Sequence, residues 1–195
     1  PKRSSKNDVI GFDTGPGMAL MDEAMVTLVG ENFDKDGAIC LSGVPNERDV
    51  DRWLNHRFIN ESPPKSTGRD IFGSTWVKEN ISDLSLVDPN DLMATLSFFT
   101  ARSVAVNCSR FLPLHLVQKV VVSGGGVYNK AVMKYLKKEF SPIIVTSSHD
   151  YGFDPFIKEA IGFAILGAAN LKEIPGNLPS VTGATGKVIL GKVTV

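Results

Sequence analysis

Val120-Val121-Val122-Ser123-Gly124-Gly125-Gly126-Val127-Tyr128-Asn129 is a strand, a glycine turn and a helix start in direct succession. The apolar-rich run begins at Leu116 and reads as a buried strand. Three consecutive glycines leave no Cβ to block a flat or charged ligand, whereas a tight turn alone normally needs one. The spacing predicts a helix from Asn129 to Phe140 with Val132, Met133, Leu136 and Phe140 inward. Its N-terminus is expected to offer unpaired N–H groups to a phosphate. Ile143 to Thr146 is a second short strand. Strand, helix and strand in this order predict an α/β fold with at least part of the sheet parallel.

Upstream, Asp88-Pro89-Asn90-Asp91 combines a cap, a first-turn proline and a first-turn acid, and predicts a helix running to Phe111. Leu20, Met21, Ala24, Met25 and Leu28 repeat at helical spacing up to Gly30, and Glu47 to Phe58 reads as another helix. At the front, Val9-Ile10-Gly11-Phe12-Asp13-Thr14-Gly15-Pro16-Gly17 is an apolar strand ending in an acid, a hydroxyl and a glycine turn. Asp13 either caps the helix that follows or faces a ligand. Downstream, Asp154-Pro155 opens a last long helix to Leu171 that is apolar nearly all round and is therefore expected to be buried. Glu159 near its start then needs a partner, a metal or a ligand. The alternative is an exposed first-turn acid that complements the helix dipole. Val188 to Leu190 is expected as a closing strand.

The chain has 195 residues, enough for one ordinary domain or one large lobe. Lys+Arg and Asp+Glu are both 21, so no basic field exists to attract nucleic acid. No apolar stretch approaches the roughly 20 residues that span a bilayer, which argues against a membrane partner. Cys40 and Cys108 form no CxxC pair and suit a reducing, cytoplasmic setting. Residues 1–8 read as a basic, flexible arm, and the absence of an initiator Met predicts further chain upstream.

Several motif matches fail. Gly124-x-Gly126 reaches Asn129 where a dinucleotide fingerprint needs a third glycine, which disfavours a dehydrogenase. Gly183 to Lys187 lacks the leading glycine of a P-loop, and Asn32 to Gly37 lacks the closing Glu of a calcium loop. His56, His115 and His149 have no metal-ligand spacing.

Taken in order, Phe12 to Gly17, Leu20-Met21-Asp22, Asp34 to Gly37, Pro64 to Arg69, Gly124 to Gly126 with Asn129, Lys158-Glu159-Ala160, Leu178 to Ala184 and Val188 to Gly191 resemble the anhydro-N-acetylmuramic acid kinases. The resemblance covers nearly the whole chain. It implies an actin-like ATPase/sugar-kinase (ribonuclease H-like) fold, with residues 9–195 as a C-terminal lobe whose mixed sheet is flanked by helices. It also implies ATP and Mg²⁺, and a reaction that opens a 1,6-anhydro bridge with water and phosphorylates O6. Asp13 is then the base that activates the water. Thr14, Gly15, Gly124, Gly125, Gly126 and Asn129 lie along the nucleotide, and Glu159 serves the metal or the sugar. The family's Gly-Thr-Ser-x-Asp-Gly phosphate loop is not in this chain, so an N-terminal lobe is the expected partner and the chain alone is expected to be inactive. A homodimer is among the assemblies open to it.

Met18 stands where the family usually has Asn, and Val127-Tyr128 follows the glycine loop where bacterial members often carry a small residue and Arg. Both mark a divergent branch, for which a plainer anhydrosugar, as in levoglucosan kinases, is an alternative substrate. The rival class is a non-catalytic nucleotide-binding or assembly lobe.

Overall fold

The computed structural model describes residues 9–81 and 86–194, so the basic arm expected at residues 1–8 lies outside the described residues. In chain order its helices are α1 (Ala19–Leu28), α2 (Ala38–Ser42), α3 (Glu47–Trp53), α4 (Arg57–Asn60), α5 (Ser74–Asn80), α6 (Pro89–Phe111), α7 (Lys130–Glu139), α8 (Lys158–Leu171) and α9 (Pro179–Thr182). The strands are β1 (Lys119–Val122) and β2 (Ile144–Ser147). Two units are distinguished: a larger one of residues 14–61, 67–81 and 86–155, and a smaller one of residues 9–13, 62–66 and 156–194.

The larger unit is organised around α6. Its start is set as the sequence predicts: the Asp88 carboxylate accepts from the N–H of Asn90 at 2.8 Å and of Asp91 at 3.2 Å. Residues from Leu92 to Ala101 are buried on every side of this helix, because α1, α2, α3, α4 and α7 all pack on it. Trp53, Trp76 and Phe99 meet at ring distances of 5.1 to 5.8 Å, and Phe98 meets Tyr135 of α7 at 4.9 Å. The α7 helix connects β1 to β2, which pair in parallel with Lys119 opposite Ile144 and Val122 opposite Ser147. The architecture is α/β, with a small parallel sheet.

Three expectations are corrected here. The expected strand from Leu116 shortens to Lys119–Val122 because Leu114–Leu116 forms a 3₁₀ turn, and β1 alternates exposed with half-buried residues instead of being buried. The helix expected over 47–58 breaks into α3 and α4, since His56 caps a new helix by accepting from the Phe58 N–H. The described sheet is purely parallel, not mixed, with only β1 and β2 in it.

The smaller unit is built differently. Neither 9–12 nor 188–190 forms a strand, since isolated bonds such as Asp13 N–H to Lys65 C=O (3.1 Å) and Gly176 N–H to Val188 C=O (3.1 Å) do not make a ladder. The helix expected from Asp154-Pro155 starts at Lys158, a turn later than predicted. That helix has no buried residue, which overturns the expectation of a buried α8. Polar bonds hold this unit together. Asn177 donates to Gly186 C=O (2.9 Å) and accepts from Val188 N–H (2.7 Å), and Asn170 donates to Leu190 C=O (2.9 Å) and Gly191 C=O (3.2 Å).

Candidate functional site

Asp13 belongs to the smaller unit, where three separate stretches of sequence meet. Its backbone N–H donates to Lys65 C=O at 3.1 Å, and the Ser66 hydroxyl donates to its Oδ2 at 2.9 Å. The Lys65 ammonium stands 6.0 Å from the centre of the Phe12 ring. Ser180 donates to Val9 C=O at 2.8 Å. Gly11 lies so close to Val181 that a Cβ there would come within 2.6 Å of it, and Gly183, at φ +70°, has Pro64 at 3.2 Å from where a Cβ would be. The segments 9–13, 62–66 and 180–183 thus hold one another. An exposed carboxylate fixed by a hydroxyl donor can accept a proton from a bound molecule. Ser66 was not singled out by sequence reasoning, although it lies in the Pro64 to Arg69 match.

The same unit carries Glu159, exposed in the first turn of α8, as the helix-dipole alternative has it. Among the described residues no group of three or more His, Cys, Asp or Glu side chains could hold a metal ion. Magnesium does not need such a cage, because it keeps several waters and takes one or two carboxylates beside phosphate oxygens. An exposed Glu159 fits that requirement.

Thr14 and Gly15 begin the larger unit, and α6 anchors them. Thr14 C=O accepts from the Asn107 side chain at 3.1 Å, and Gly17 C=O accepts from the Thr100 hydroxyl at 2.7 Å. Between them Gly15 sits against buried Ser103, whose Oγ would be 2.5 Å from a Cβ at Gly15. Any side chain at 15 would push the turn off the helix. Thr100, Ser103 and Asn107 were missed, yet their signal is in the sequence: polar residues spaced three and four apart form one stripe along the helix.

The glycine loop also belongs to the larger unit. Gly124 has φ +87° and ψ −178°, a conformation essentially restricted to glycine, and a Cβ there would meet nothing within 4 Å. That open space suits close approach by a flat ligand. Gly126 faces Met18, whose Sδ would lie 3.4 Å from a Cβ, so the departure at Met18 sits against the glycine loop. Gly125–Tyr128 is a 3₁₀ turn and Asn129 caps α7, accepting from the N–H of Ala131 (3.1 Å) and Val132 (3.0 Å). The expected free helix N-terminus is therefore corrected: the amides of Val127, Asn129, Ala131 and Val132 are already bonded. Asn129 is 3% exposed, and a Cβ on Gly37 would lie 2.5 Å from its Oδ1. Its side chain thus sets the loop's exit into α7.

Two further matched motifs meet in this unit. Arg69 pairs with Asp22 at 3.3 Å, while burial, outweighing the guanidinium, raises the Asp22 carboxyl above its ordinary value. Buried Asp34 accepts from the N–H of Ile39 (3.0 Å) and Cys40 (2.9 Å), fixing the turn in which Asp36 and Gly37 take positive φ. Burial and the Asp34 carboxylate push the Cys40 thiol up to about 12, so it is no nucleophile at neutral pH.

Residues 4–195 match a family model described as anhydro-N-acetylmuramic acid kinase. Among curated proteins, the anhydro-N-acetylmuramic acid kinase of Clostridioides difficile (strain 630) is 36% identical over 195 residues, covering 100% of this chain and 51% of its own length. That of Caldanaerobacter subterraneus subsp. tengcongensis is 38% identical over 200 residues, covering 100% of this chain and 50% of its own. That of Picosynechococcus sp. (strain ATCC 27264 / PCC 7002 / PR-6) is 42% identical over 194 residues, covering 96% and 51%. The chain spans about half the length of the curated relatives it matches, namely their C-terminal half.

Proposed function

The chain belongs to the anhydro-N-acetylmuramic acid kinase family, and on that premise we propose that it is the second half of an ATP-dependent 1,6-anhydrosugar kinase with the actin-like fold. The observation that carries the reading is the fixation of Asp13 by Ser66 and Lys65, since it holds one carboxylate at the meeting point of three matched motifs. In the proposed reaction a water oxygen bonds to the anomeric carbon, its proton passes to the Asp13 carboxylate, and the bond from that carbon to O6 breaks. O6 then bonds to the γ-phosphorus of ATP and ADP departs with the bridging oxygen. The substrate named by the relatives, anhydro-N-acetylmuramic acid, is the first sugar to test.

The open face of Gly124 supports a nucleotide lying along Gly124, Gly125 and Gly126, with Asn129 acting as a positioning residue and Thr14-Gly15 lining the approach. Glu159 would hold Mg²⁺, which offsets phosphate charge during transfer. No described helix is long and apolar enough to cross a membrane. Both cysteines are free thiols, in keeping with work in the cytoplasm.

The test uses this chain completed at its N-terminus with the first half of the Picosynechococcus relative. With ATP, Mg²⁺ and anhydro-N-acetylmuramic acid it is expected to release ADP and a sugar phosphorylated at O6, whereas the chain alone does not. Asp13→Asn is expected to lower kcat by about 10²- to 10⁴-fold with sugar affinity nearly unchanged. Near-normal turnover by that variant removes Asp13 from its role, and robust turnover by the isolated chain sinks the two-half reading.

A further inference from the structure

The chain carries as many cations as anions, but α7 does not. It has four lysines, and its one acid, Glu139 in the last turn, pairs with Arg102 at 3.4 Å. Lys130 is the first helical residue, and no acid shares the first turn with it. A cation at that place opposes the positive end of the helix dipole. Lys134 follows Lys130 at i, i+4 and precedes Lys138 at the same spacing, and like charges so placed repel one another. None of Lys130, Lys134 and Lys137 is ion-paired among the described residues. A solvated helix face normally interleaves its signs. This face gathers one sign where the helix itself disfavours it, and such local conflicts are expected at functional sites.

The same three lysines line a groove of ≈ 550 Å³, together with Thr146 and Asp150. The groove reaches Val127, the residue that leaves the glycine loop. Asp150 is its one carboxylate, so three ammoniums leave it net positive. That carboxylate is already engaged, accepting from the Thr146 hydroxyl and from the Ser147 N–H. At 1.5 Å per residue, Lys134 and Lys137 stand about 6 and about 10 Å along the helix from Lys130. Charges act over about 8 Å at physiological salt, so neighbouring ammoniums add their fields. The dipole of α7 reinforces that field at the glycine-loop end of the groove.

We propose that Lys130, Lys134 and Lys137 form a capture site for the polyphosphate tail of the incoming nucleotide, which they collect and pass to the glycine loop. The proposal rests on the reading of Gly124, Gly125 and Gly126 as the nucleotide site, and adds to it the residues that set how fast the nucleotide arrives. Steering of this kind raises the association rate and its salt dependence, and leaves the seated complex and the chemical step alone.

The test uses this chain completed with the first half of the Picosynechococcus relative. Stopped flow with ATP carrying a fluorescent N-methylanthraniloyl group reads association and dissociation separately. Lys130→Gln, Lys134→Gln and Lys137→Gln combined are expected to slow association about tenfold at about 50 mM NaCl and under about twofold at about 0.5 M, with dissociation and kcat unchanged. The same charge removed from α3, α4 and α5 by Arg48→Gln, Arg57→Gln and Lys78→Gln leaves association within about twofold. In low salt the lysine variant is expected to melt no lower than the parent, because the first-turn cation and the repelling pairs are gone. Association indifferent to the three lysines overturns the proposal, as does an equal loss from the substitutions in α3, α4 and α5, which assigns the effect to net charge. A lower melting temperature with unchanged association assigns the lysines to the fold instead. A loss confined to dissociation or to kcat makes them part of the seated site and overturns the capture role. An unaltered protein that binds no ATP sinks the nucleotide reading itself, whereas one that binds ATP and ignores the lysines sinks the groove alone.

Discussion

Gly124 shows how a single residue can be fixed by backbone conformation and not by crowding. A Cβ at this position would touch nothing, so Gly124→Ala makes no clash; its penalty is the forced φ of +87°. Such conformations cost of order 1–3 kcal/mol in a residue with a side chain. Gly124→Ala is therefore expected to lower the melting temperature by roughly 2–12 °C for a chain of this size. It should also weaken ATP binding in the completed protein, because the chain relieves the strain by re-aiming the loop. An unchanged melting curve by scanning calorimetry would contradict the assigned conformation. Residue by residue, legibility followed chemistry. Asp13 and the glycines stood out because acids and glycine runs are unusual after an apolar run. Ser66 did not, because a serine in a loop carries no signal until its partner is known.

Among the elements, α6 was fully legible, since Asp88-Pro89 marks its start and Pro113 its end. The stretch 47–60 was not, because His56 is an uncommon cap. His56 Nδ1 accepts the Phe58 N–H at 3.2 Å, which only the neutral imidazole can do. Burial, only partly opposed by Glu61, holds its pKa below the ordinary value. The sign follows from proton counting: below about 6.5 the unfolded chain takes up a proton that the folded chain refuses. Stability is thus expected to fall as pH drops through that value, and to level off only below the folded pKa. Urea midpoints measured between pH 7.5 and 5 check this. His56→Asn, which keeps an acceptor that does not titrate, should flatten the curve, while His56→Ala should lose about 1 kcal/mol even at neutral pH. A pH slope untouched by His56→Asn would assign it to other groups.

At the scale of the whole molecule, apolar periodicity revealed which segments want burial but not where their cover comes from. The pattern of α8 is that of a helix made for an interior, yet no residue of it is buried here. Val121 of β1 and Ile144 of β2, 49% and 58% exposed, show the same lack of cover on the parallel sheet. Stability should divide accordingly. The larger unit has the aromatic cluster of Trp53, Trp76 and Phe99 and the buried length of α6, and so it can melt cooperatively. Residues 156–194 have hydrogen bonds in place of a core, and segments with few buried apolar contacts open at low free energy. Brief chymotrypsin treatment of the isolated chain is therefore expected to cut first at Phe156 and Phe163, well before any site in α6. The product ending near Pro155 should keep a single melting transition within a few degrees of the parent, because its removal takes away no buried apolar side chain. Resistance of α8 equal to that of α6, or loss of the transition on trimming, would mean that the larger unit leans on the smaller for its own stability.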